Sequence, residues 1–422
     1  MTDTDPGPSG THPPDAANPA PDVTDPGTSA PDGADPGTDL PRARKRAGLP
    51  DSRGNGADAE ARESAVLERI ERFRRRRSRL RDTIVTLAHG AGGKSSAALI
   101  DEVFRPVFAD LDESGAVVDM PLNDGALMEL PSGERLAFST DSFVVKPLTF
   151  PGGSIGDLAV NGTVNDLAMM GAKPAWLSAA FVLEEGFAID ELRVIAADMG
   201  TAAGKAGVRV VTGDTKVVNR GAADGLYVTT AGVGVVPAGR TLSPDRVRPG
   251  DVVIVSGTIA DHGMAVMLAR GDLNLEADIR SDTAPLGELV ELLFSAAPGT
   301  RWLRDPTRGG VGTVCNELAR DAGVAVVLDE ARLPIDPAVN GACDMLGIDP
   351  LYVANEGKFV AIVGPEEEEA ALAALRSHPL GAGAVRIGQI NEDPPGIVVL
   401  LTSFGGTRIV DMLVGDPLPR IC

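Results

Sequence analysis

The stretch that decides the fold is residues 135–172, RLAFSTDSFVVKPLTFPGGSIGDLAVNGTVNDLAMMGA. Its first part, RLAFSTDSFVVKPL, combines apolar, aromatic and β-branched residues in a way that is typical of a strand. Its last part, IGDLAVNGTVNDLAMMGA, is instead typical of a helix. Two element types in one short stretch predict a mixed domain in which helices cover a sheet.

Three further strand-like runs follow: PAWLSAAFVL, VRVVTGDTKVV and GLYVTTAGVGVV. The last two succeed each other with no helix between them, which indicates a curved, partly antiparallel sheet and therefore an α+β domain. After a turn-rich break at LSPDRVRPGD, the strand VVIVSGTI opens a second region that is predicted to be an α/β domain. The predicted domains are 83–240 and 241–415, followed by a flexible tail at 416–422.

Residues 1–82 differ in composition from the rest of the chain. The first part, to about residue 56, is rich in Pro, Gly, Asp, Ser and Thr. It is predicted to be disordered, because it cannot bury enough apolar surface to offset its ordering entropy. Residues 57–82 contain the run RFRRRRSRLR and are predicted to form a helix with a solvated basic face.

Composition limits the class of protein. The 422 residues, 43% hydrophobic and 4% aromatic, can fill two cores with aliphatic side chains. The net charge of -21 argues against a general nucleic-acid-binding or anionic-membrane surface. Apolar runs stay short of the ~18 residues that a membrane-spanning helix needs, so a soluble, cytoplasmic protein is expected. The three cysteines and four histidines are scattered, which predicts neither disulfides nor a zinc site.

A glycine loop, AHGAGGKSS, lies between a predicted strand and a predicted helix near the start of the first domain. Gly90, Gly92 and Gly93 would let backbone N–H groups approach an anion at the helix N-terminus. A true Walker A loop is excluded, because Ala88 occupies the position where that motif requires glycine. The loop is therefore either a phosphate site or a glycine-rich turn.

Carboxylates and amides recur at predicted strand and helix boundaries of the same domain. They are Asn123 and Asp124 in LNDGA, Asp141 in STDS, Asn165 and Asp166 in GTVNDL, and Asp214 in VTGDTK. Each one alone is more often a cap or a turn residue. Together, beside a glycine loop, they favour a Mg-nucleotide site, because Mg²⁺ bound to phosphates prefers hard oxygen ligands.

Four other residues have two interpretations each. Lys146 and Lys216 suit the neutralisation of phosphate oxygens, and equally suit surface positions at a strand edge. Glu356 in VANEGK suits a positioned base or an ordinary loop glutamate. Asp305 in RDPTRGGVG lies ahead of a helix, which is compatible with an anion site or a tight cap.

The last residue of the sequence, Cys422, is a thiol at the end of GDPLPRIC. Pro417 and Pro419 stiffen the approach to it, so the tail is expected to project rather than pack. Cys315 and Cys343 instead fall among apolar neighbours in predicted helices and are expected to be core residues.

Taken together, these motifs resemble a known family. The stretches AHGAGG, residues 139–174, VTGDTKVV, DHGMAV, RDPTRGGV, VANEGK and the terminal PRIC are similar to those of the HypE hydrogenase expression/formation proteins. That family lies within the aminoimidazole ribonucleotide and selenophosphate synthetase superfamily, and PRIC separates it from the other branches. The resemblance covers about residues 87–422 and does not extend to the first 82.

The resemblance implies a fold and an activity. The fold is an N-terminal domain whose curved sheet pairs across a two-fold axis in a homodimer, with ATP near that interface, plus an outer α/β domain. The activity is ATP-dependent dehydration of a carboxamide that the carbamoyltransferase HypF loads onto Cys422. The resulting thiocyanate supplies cyanide to iron held by HypC and HypD, for the [NiFe] hydrogenase centre.

The same resemblance implies roles for individual residues. Lys216 and Glu356 are expected near the modified tail, with Lys216 polarising the amide oxygen or phosphate and Glu356 accepting protons. The remaining assignments are metal ligation by Asp124, Asp141 and Asp214, and ATP or phosphate contacts by Gly90, Gly92, Gly93, Lys146, Asn165, Asp166 and Asp305.

Two alternatives stay open at this point. One is a small-molecule synthetase or phosphotransferase, as in the purine, thiamine and selenophosphate branches of the superfamily. The selenophosphate branch is disfavoured, because the loop HGAGGKS carries no cysteine. The other alternative is a non-catalytic maturation scaffold that binds ATP as a conformational ligand.

Overall fold

The computed structural model describes residues 80–108, 123–271, 277–415, 418 and 420–422. The predicted disordered extension and basic helix lie outside the described residues, apart from 80–82, and stay predictions. Within the described ranges, no helix combines the length and apolarity that crossing a membrane requires.

The first half of the described chain is built on a five-stranded sheet. Its strand order is β1-β2-β7-β5-β6, in which β5 and β6 are parallel and the other pairs are antiparallel. A two-stranded ribbon, β3-β4, lies beside it. The strands are β1 (Ala126–Glu129), β2 (Arg135–Phe143), β3 (Thr149–Phe150), β4 (Gly153–Ser154), β5 (Lys173–Glu184), β6 (Arg209–Val218) and β7 (Leu226–Val236).

The helices of this half include one that is buried on every side. They are α1 (Lys94–Leu99), continued by a π-helical turn (Ile100–Phe104), α2 (Arg105–Phe108), α3 (Ile155–Met169) and α4 (Ile189–Ala206). Thirteen of the fifteen residues of α3 are buried, as expected for a helix without a polar face. Ser154 begins α3 by accepting a hydrogen bond from the Gly156 N–H at 3.2 Å. Its C-terminal Ala168 and Met169 pack into the core of the other half, so α3 lies between the two sheets.

The second half contains a mixed seven-stranded sheet of order β14-β13-β10-β12-β8-β11-β9. Its strands are β8 (Val252–Val255), β9 (Trp302–Arg304), β10 (Ala325–Asp329), β11 (Val360–Val363), β12 (Val385–Asn391), β13 (Ile397–Leu401) and β14 (Thr407–Val410). Its helices are α5 (Asp261–Ala269), α6 (Gly287–Ala296), α7 (Gly310–Ala322), α8 (Pro337–Leu346) and α9 (Glu368–Arg376). All residues of β8 and β11 are buried, which matches their continuous apolar sequences.

These two sheets confirm the predicted two-domain fold of helices packed on mixed sheets. Among the described strands of the second sheet, β10 and β13 pair in parallel and the other five pairings are antiparallel. The predicted domain boundary near 240 falls between β7 and β8. The main core is continuous from the first half, where it contains Phe143 and Ile155, to Val339 of α8. Two residues of the tail, Leu418 and Ile421, are buried in this same core.

Candidate active site

Three carboxylates meet where the two halves of the chain join. Asp124 precedes β1, Asp166 lies on α3, and Asp305 follows β9. Oxygens of the three side chains lie within 4.8 Å of one another. The Ser139 hydroxyl donates to Asp166 Oδ2 at 2.6 Å, which fixes that carboxylate.

Burial makes the charged form of this cluster unfavourable in the absence of a cation. It raises the pKa of Asp124 and of Asp166 well above the usual range, and the pKa of Asp305 to about 6. Asp124 Oδ2 is buried and has no hydrogen-bond partner among the described residues. Three clustered carboxylates, one with an unpaired oxygen, fit a divalent cation that prefers oxygen ligands.

Arg304 is a functional residue that the sequence analysis did not single out. Its Nε lies 3.0 Å from Asp124 Oδ1, and its Nη2 lies 2.9 Å from Glu317 Oε2. The guanidinium therefore neutralises part of the cluster's charge and holds Asp124 in place. No spacing rule indicated this role, since Arg304 is 180 residues from Asp124 in sequence.

The glycine loop contacts the motif RDPTRGGV across the two halves. Arg308 Nη1 donates to the Gly90 carbonyl at 3.0 Å. Gly92 has a φ of +73° and no room for a side chain, because a Cβ there would lie 3.0 Å from Arg308 Cβ. The Gly92 N–H donates to Ser96 and the Lys94 N–H to Leu413, so these two groups are engaged within the protein. Phosphate binding by Gly90, Gly92 and Gly93 stays a prediction.

Asp141 lies on β2 beside the same arginine. Burial raises its pKa, opposed by the charge of Arg308 and by a hydrogen bond from the Ser142 N–H. The negative charge of Asp141 also raises the pKa values of Asp124 and Asp166. The predicted ligand Asp141 is thus part of the electrostatics of the cluster, although it is outside the group of three.

Glu356 is a nearly buried carboxyl, 3% exposed, next to this site. Burial, followed by the charges of Asp305, Asp141 and Asp282, raises its pKa well above the usual range. Its Oε1 is buried and without a hydrogen-bond partner among the described residues. Its backbone N–H donates to Asp282 Oδ1 at 3.0 Å, so the position of the residue is fixed while its side chain keeps an unpaired oxygen.

The tail is docked, which differs from the expectation that it projects. The Val144 N–H donates to the Cys422 carbonyl at 3.1 Å, and the Lys146 N–H donates to the Arg420 carbonyl at 3.2 Å. Arg420 also pairs with Asp224. The tail docks because Leu418 and Ile421 bury their side chains in the main core, while its backbone carbonyls accept hydrogen bonds from the segment that follows β2. Cys422 is half-buried against the main core.

Two predicted phosphate contacts have other partners. Lys146, whose side chain is 61% exposed, pairs with Asp224 at 3.3 Å. Because Asp224 also pairs with Arg420, Lys146 contributes to the contacts that hold the tail. The Asn165 amide donates to the carbonyls of Ala284 and Glu356 and accepts from the Leu286 N–H at 2.8 Å. Its hydrogen-bonding groups are therefore used in supporting the Glu356 segment rather than in facing a ligand.

Asp214 and Lys216 lie on β6, apart from the cluster within one chain. They pair with each other at 2.8 Å, and this contact lowers the pKa of Asp214. In the order of the sheet, β6 is three strands away from β2, which corresponds to roughly 14 Å between the two strands. The two residues therefore do not meet Asp124 or Glu356 in the same protomer.

Family comparisons agree with the geometry. Residues 122–236 match the N-terminal domain of AIR synthase related proteins, and residues 248–400 match the C-terminal domain. The chain is 56% identical to the carbamoyl dehydratase HypE of Rhodobacter capsulatus, over 81% of this chain and 99% of that protein. It is 44% identical to the carbamoyl dehydratase HypE of Escherichia coli K12, over 80% of this chain and 99% of that protein.

Solved structures show the same likeness. The HypE of a HypE–HypF complex superposes with a TM-score of 0.69 at 46% identity, covering 75% of this chain and all of that one. A HypE structure in complex with ATP gives a TM-score of 0.66 at 45% identity, covering 80% of this chain and all of that one.

The matches to the N-terminal and C-terminal domain models, over both halves of the chain, define an AIR synthase-related protein. Within that class, the sequence identity to the HypE relatives and the share of each chain that the alignments cover determine the family. The chain belongs to the HypE carbamoyl dehydratase family.

Proposed function

We propose that this protein dehydrates an S-carbamoyl group on Cys422 to a thiocyanate, with conversion of ATP to ADP and phosphate. The carbamoyl C–O bond breaks, and the oxygen leaves with the γ-phosphoryl group as inorganic phosphate. Both N–H protons are lost and a C≡N bond forms; one proton ends on phosphate, and the other is accepted by Glu356 and passed to solvent. ATP is needed because the carboxamide oxygen is a poor leaving group.

The observation that carries this proposal is the docked tail. The Cys422 carbonyl accepts a hydrogen bond from Val144, three residues beyond Asp141 on the same extended chain. Three residues of extended chain span about 10 Å, so the half-buried Cys422 residue docks roughly that far from Asp141, at the margin of the carboxylate site. Reaction needs contact at about 3–3.5 Å, and a tail docked here has only a short movement left to make.

Asp124, Asp166 and Asp305 are proposed to hold Mg²⁺, with Asp141 close by. Bound there, the ion would offset the negative charge of the ATP phosphates. Arg304 keeps Asp124 oriented, at 3.0 Å. With the ion bound, the acidic site would accommodate the tetra-anionic triphosphate of ATP, which it would otherwise repel.

Glu356 is proposed as the base that accepts a proton from the carboxamide nitrogen. Its raised pKa brings the carboxyl closer to the operating pH, where a general base is most effective. The unpaired, buried Oε1 supports this role, because that oxygen has no competing donor among the described residues.

A homodimer through β6 is part of the proposal. Nine of the ten residues of β6 are exposed, among them the apolar Val210, Val211 and Val217. An unpaired, apolar edge strand is suited to pairing with a second chain. In such a dimer, the Asp214–Lys216 pair of one protomer can serve the site of the other, which accounts for its distance from the cluster within one chain.

The partners and location follow from the same reaction. HypF is proposed to load the carboxamide, and one relative has been solved as a HypE–HypF complex. The HypC–HypD complex is proposed to receive the cyanide in the cytoplasm. The acidic net charge of -21 is unsuited to a nucleic-acid or anionic-membrane partner.

Intact mass spectrometry tests the reaction in two steps. Incubation with HypF, carbamoyl phosphate and ATP should add one carboxamide to Cys422, and a second incubation with Mg-ATP should remove one water. Cys422→Ser should stay unmodified while ATP binding is retained. An unmodified wild-type tail, with HypF shown to be active, would overturn the proposal.

A further inference from the structure

His262 connects the tail to the core of the protein. It lies on the first turn of α5 and is completely buried. Its Nε2 lies 2.6 Å from the Ile421 carbonyl oxygen, and its Nδ1 lies 2.8 Å from Ser281 Oγ. The ring therefore bridges the residue before Cys422 to a loop from a different part of the chain.

The hydrogen-bond network determines which ring nitrogen carries the proton. The Ile421 carbonyl oxygen can only accept a hydrogen bond, so Nε2 carries the ring proton and donates to it. In the neutral ring Nδ1 then accepts from the Ser281 hydroxyl, whose oxygen also accepts from the Thr283 N–H at 3.1 Å. Burial lowers the pKa of His262, which is consistent with a neutral ring of one fixed tautomer.

The contact completes a set of bonds to consecutive tail carbonyls. Arg270 donates to the Arg420 carbonyl at 2.8 Å, His262 to Ile421, and Val144 to Cys422. Arg420 has a φ of +58°, so these three carbonyls point in directions set by an irregular backbone, and a slip of one residue would misalign all three pairings. The three donors therefore define one register of the docked tail.

We propose that His262 is a positioning residue that sets Cys422 in register for dehydration. The inference rests on the proposed function for its catalytic consequence, while the docking contact itself stands on the geometry. His262 does not touch the reacting group, and it acts through the Ile421 carbonyl. Packing alone does not account for it, since the Phe150 ring that meets it edge-on at 5.5 Å is apolar and needs no polar neighbour.

The first test measures how fast Cys422 is alkylated in the uncarbamoylated, full-length protein. Cys315 and Cys343 are buried, so Cys422 should react first. His262→Leu should speed alkylation about two- to tenfold, the range that one lost net hydrogen bond allows. His262→Gln places an amide N–H near the Nε2 position and should restore a rate close to that of the wild type.

Two further variants keep the test decisive. Ser281→Ala removes the hydroxyl that holds Nδ1, so the imidazole ring is oriented less firmly, and alkylation should accelerate less than in His262→Leu. His378→Leu removes a histidine remote from the tail and should leave the rate unchanged. Equal rates in wild type, His262→Leu and Ser281→Ala, with thermal unfolding and ATP binding intact, would overturn the inference.

The second test is a single turnover of enzyme carbamoylated at Cys422, with saturating Mg-ATP. His262→Leu should lose water more slowly than the wild type by at least the factor seen in alkylation, with unchanged ATP affinity, and His262→Gln should be largely rescued. Equal turnover rates would refute the positioning role. If the carbamoylated wild-type enzyme does not lose water from the group on Cys422, the proposed function is wrong. The alkylation test still decides whether His262 holds the tail in place.

Discussion

At the residue scale, Glu356 combines burial with a carboxylate oxygen that has no hydrogen-bond partner among the described residues. Glu356→Gln keeps the shape but removes the basic oxygen. Dehydration of the carbamoylated tail should fall by about 10²–10⁴-fold, the usual contribution of a general base, while ATP affinity stays within a few fold. Single-turnover mass spectrometry measures the first quantity and calorimetry the second.

Glu369→Gln is the matched control, because Glu369 is an exposed glutamate at the start of α9. Its turnover should equal that of the wild type. A Glu356→Gln enzyme with full activity would exclude Glu356 as the base.

The aspartate cluster predicts a pH-dependent response to Mg²⁺. The pKa of Asp305 is raised from 3.8 to about 6, so the folded protein binds a proton more tightly than the unfolded chain does. Stability from this group is therefore present below pH 3.8 and is lost as pH rises through about 6. Mg²⁺ competes with that proton and with those on Asp124 and Asp166, whose pKa values are also raised, so its affinity should rise with pH through about 6, by up to roughly tenfold per pH unit for each proton displaced.

Thermal unfolding with and without Mg²⁺ measures this effect. The stabilisation by Mg²⁺ should be larger at pH 7.5 than at pH 5. Asp305→Asn removes the titrating group, so its residual response should vary less with pH. A wild-type response that is the same at both values would contradict the assignment of Asp305 as a ligand.

Single residues also show how far the sequence predicts the site. Asp124 was predicted as a metal ligand, and Asp166 and Asp305 as ATP or phosphate contacts; the first two lie at element boundaries beside a glycine loop, and Asp305 lies ahead of a helix. Their convergence was not predictable from spacing, since it depends on β9 and α3 coming together. Lys146 and Asn165 were assigned to phosphate for the same local reasons, but distant partners, Asp224 and Leu286, engage their side chains.

At the scale of elements, α3 and α4 pack closely through a glycine. A Cβ on Gly156 would lie 2.4 Å from the Ile195 carbonyl oxygen, a backbone atom that cannot move aside alone. Gly156→Ala should therefore destabilise the protein by about 1–3 kcal/mol, the usual penalty of overpacking. Chemical denaturation monitored by circular dichroism gives this value.

Gly200 on α4 provides the control, because a Cβ there meets nothing within 4 Å. Gly200→Ala should stabilise the protein by about 0.4–1 kcal/mol, since alanine reduces the entropy of the unfolded chain. If both variants shifted stability in the same direction, close helix packing at Gly156 would be refuted.

The stretch at 135–172 predicted its elements well, because β2 and α3 each carry a continuous local signal. The tail had no such signal. Its two prolines suggested projection, whereas its conformation depends on pairing with Val144 and Lys146, more than 270 residues earlier. Pairing over that separation is a tertiary property, and local propensity does not encode it.

At the scale of the whole molecule, the apolar edge strand β6 predicts the oligomeric state. Val211→Arg places a charge on an exposed residue at the centre of the proposed dimer interface. The dimer should dissociate at least 100-fold more readily, because two like charges approach across the two-fold axis. Analytical ultracentrifugation over a range of concentrations measures the dissociation constant.

Ile409→Arg is the control, since Ile409 is an exposed residue on the distant edge strand β14. It should leave the dimer intact. Val211→Arg should also lose dehydration activity if Asp214 and Lys216 act in the neighbouring site. A wild-type protein that is monomeric at all concentrations would exclude the dimer.

The burial of Leu418 and Ile421 in the main core has a consequence for cyanide delivery. Each large apolar side chain gains about 1.5–3 kcal/mol from burial, so withdrawing both opposes release by roughly 3–6 kcal/mol. The released form is then rarer than about one molecule in a hundred, and an acceptor that captures it binds with an apparent affinity reduced by the same fraction. The small population of the released tail therefore makes cyanide transfer selective. A nucleophile that meets the protein by chance rarely finds the loaded sulfur exposed. A partner that binds the tail itself offsets the free energy of withdrawing Leu418 and Ile421.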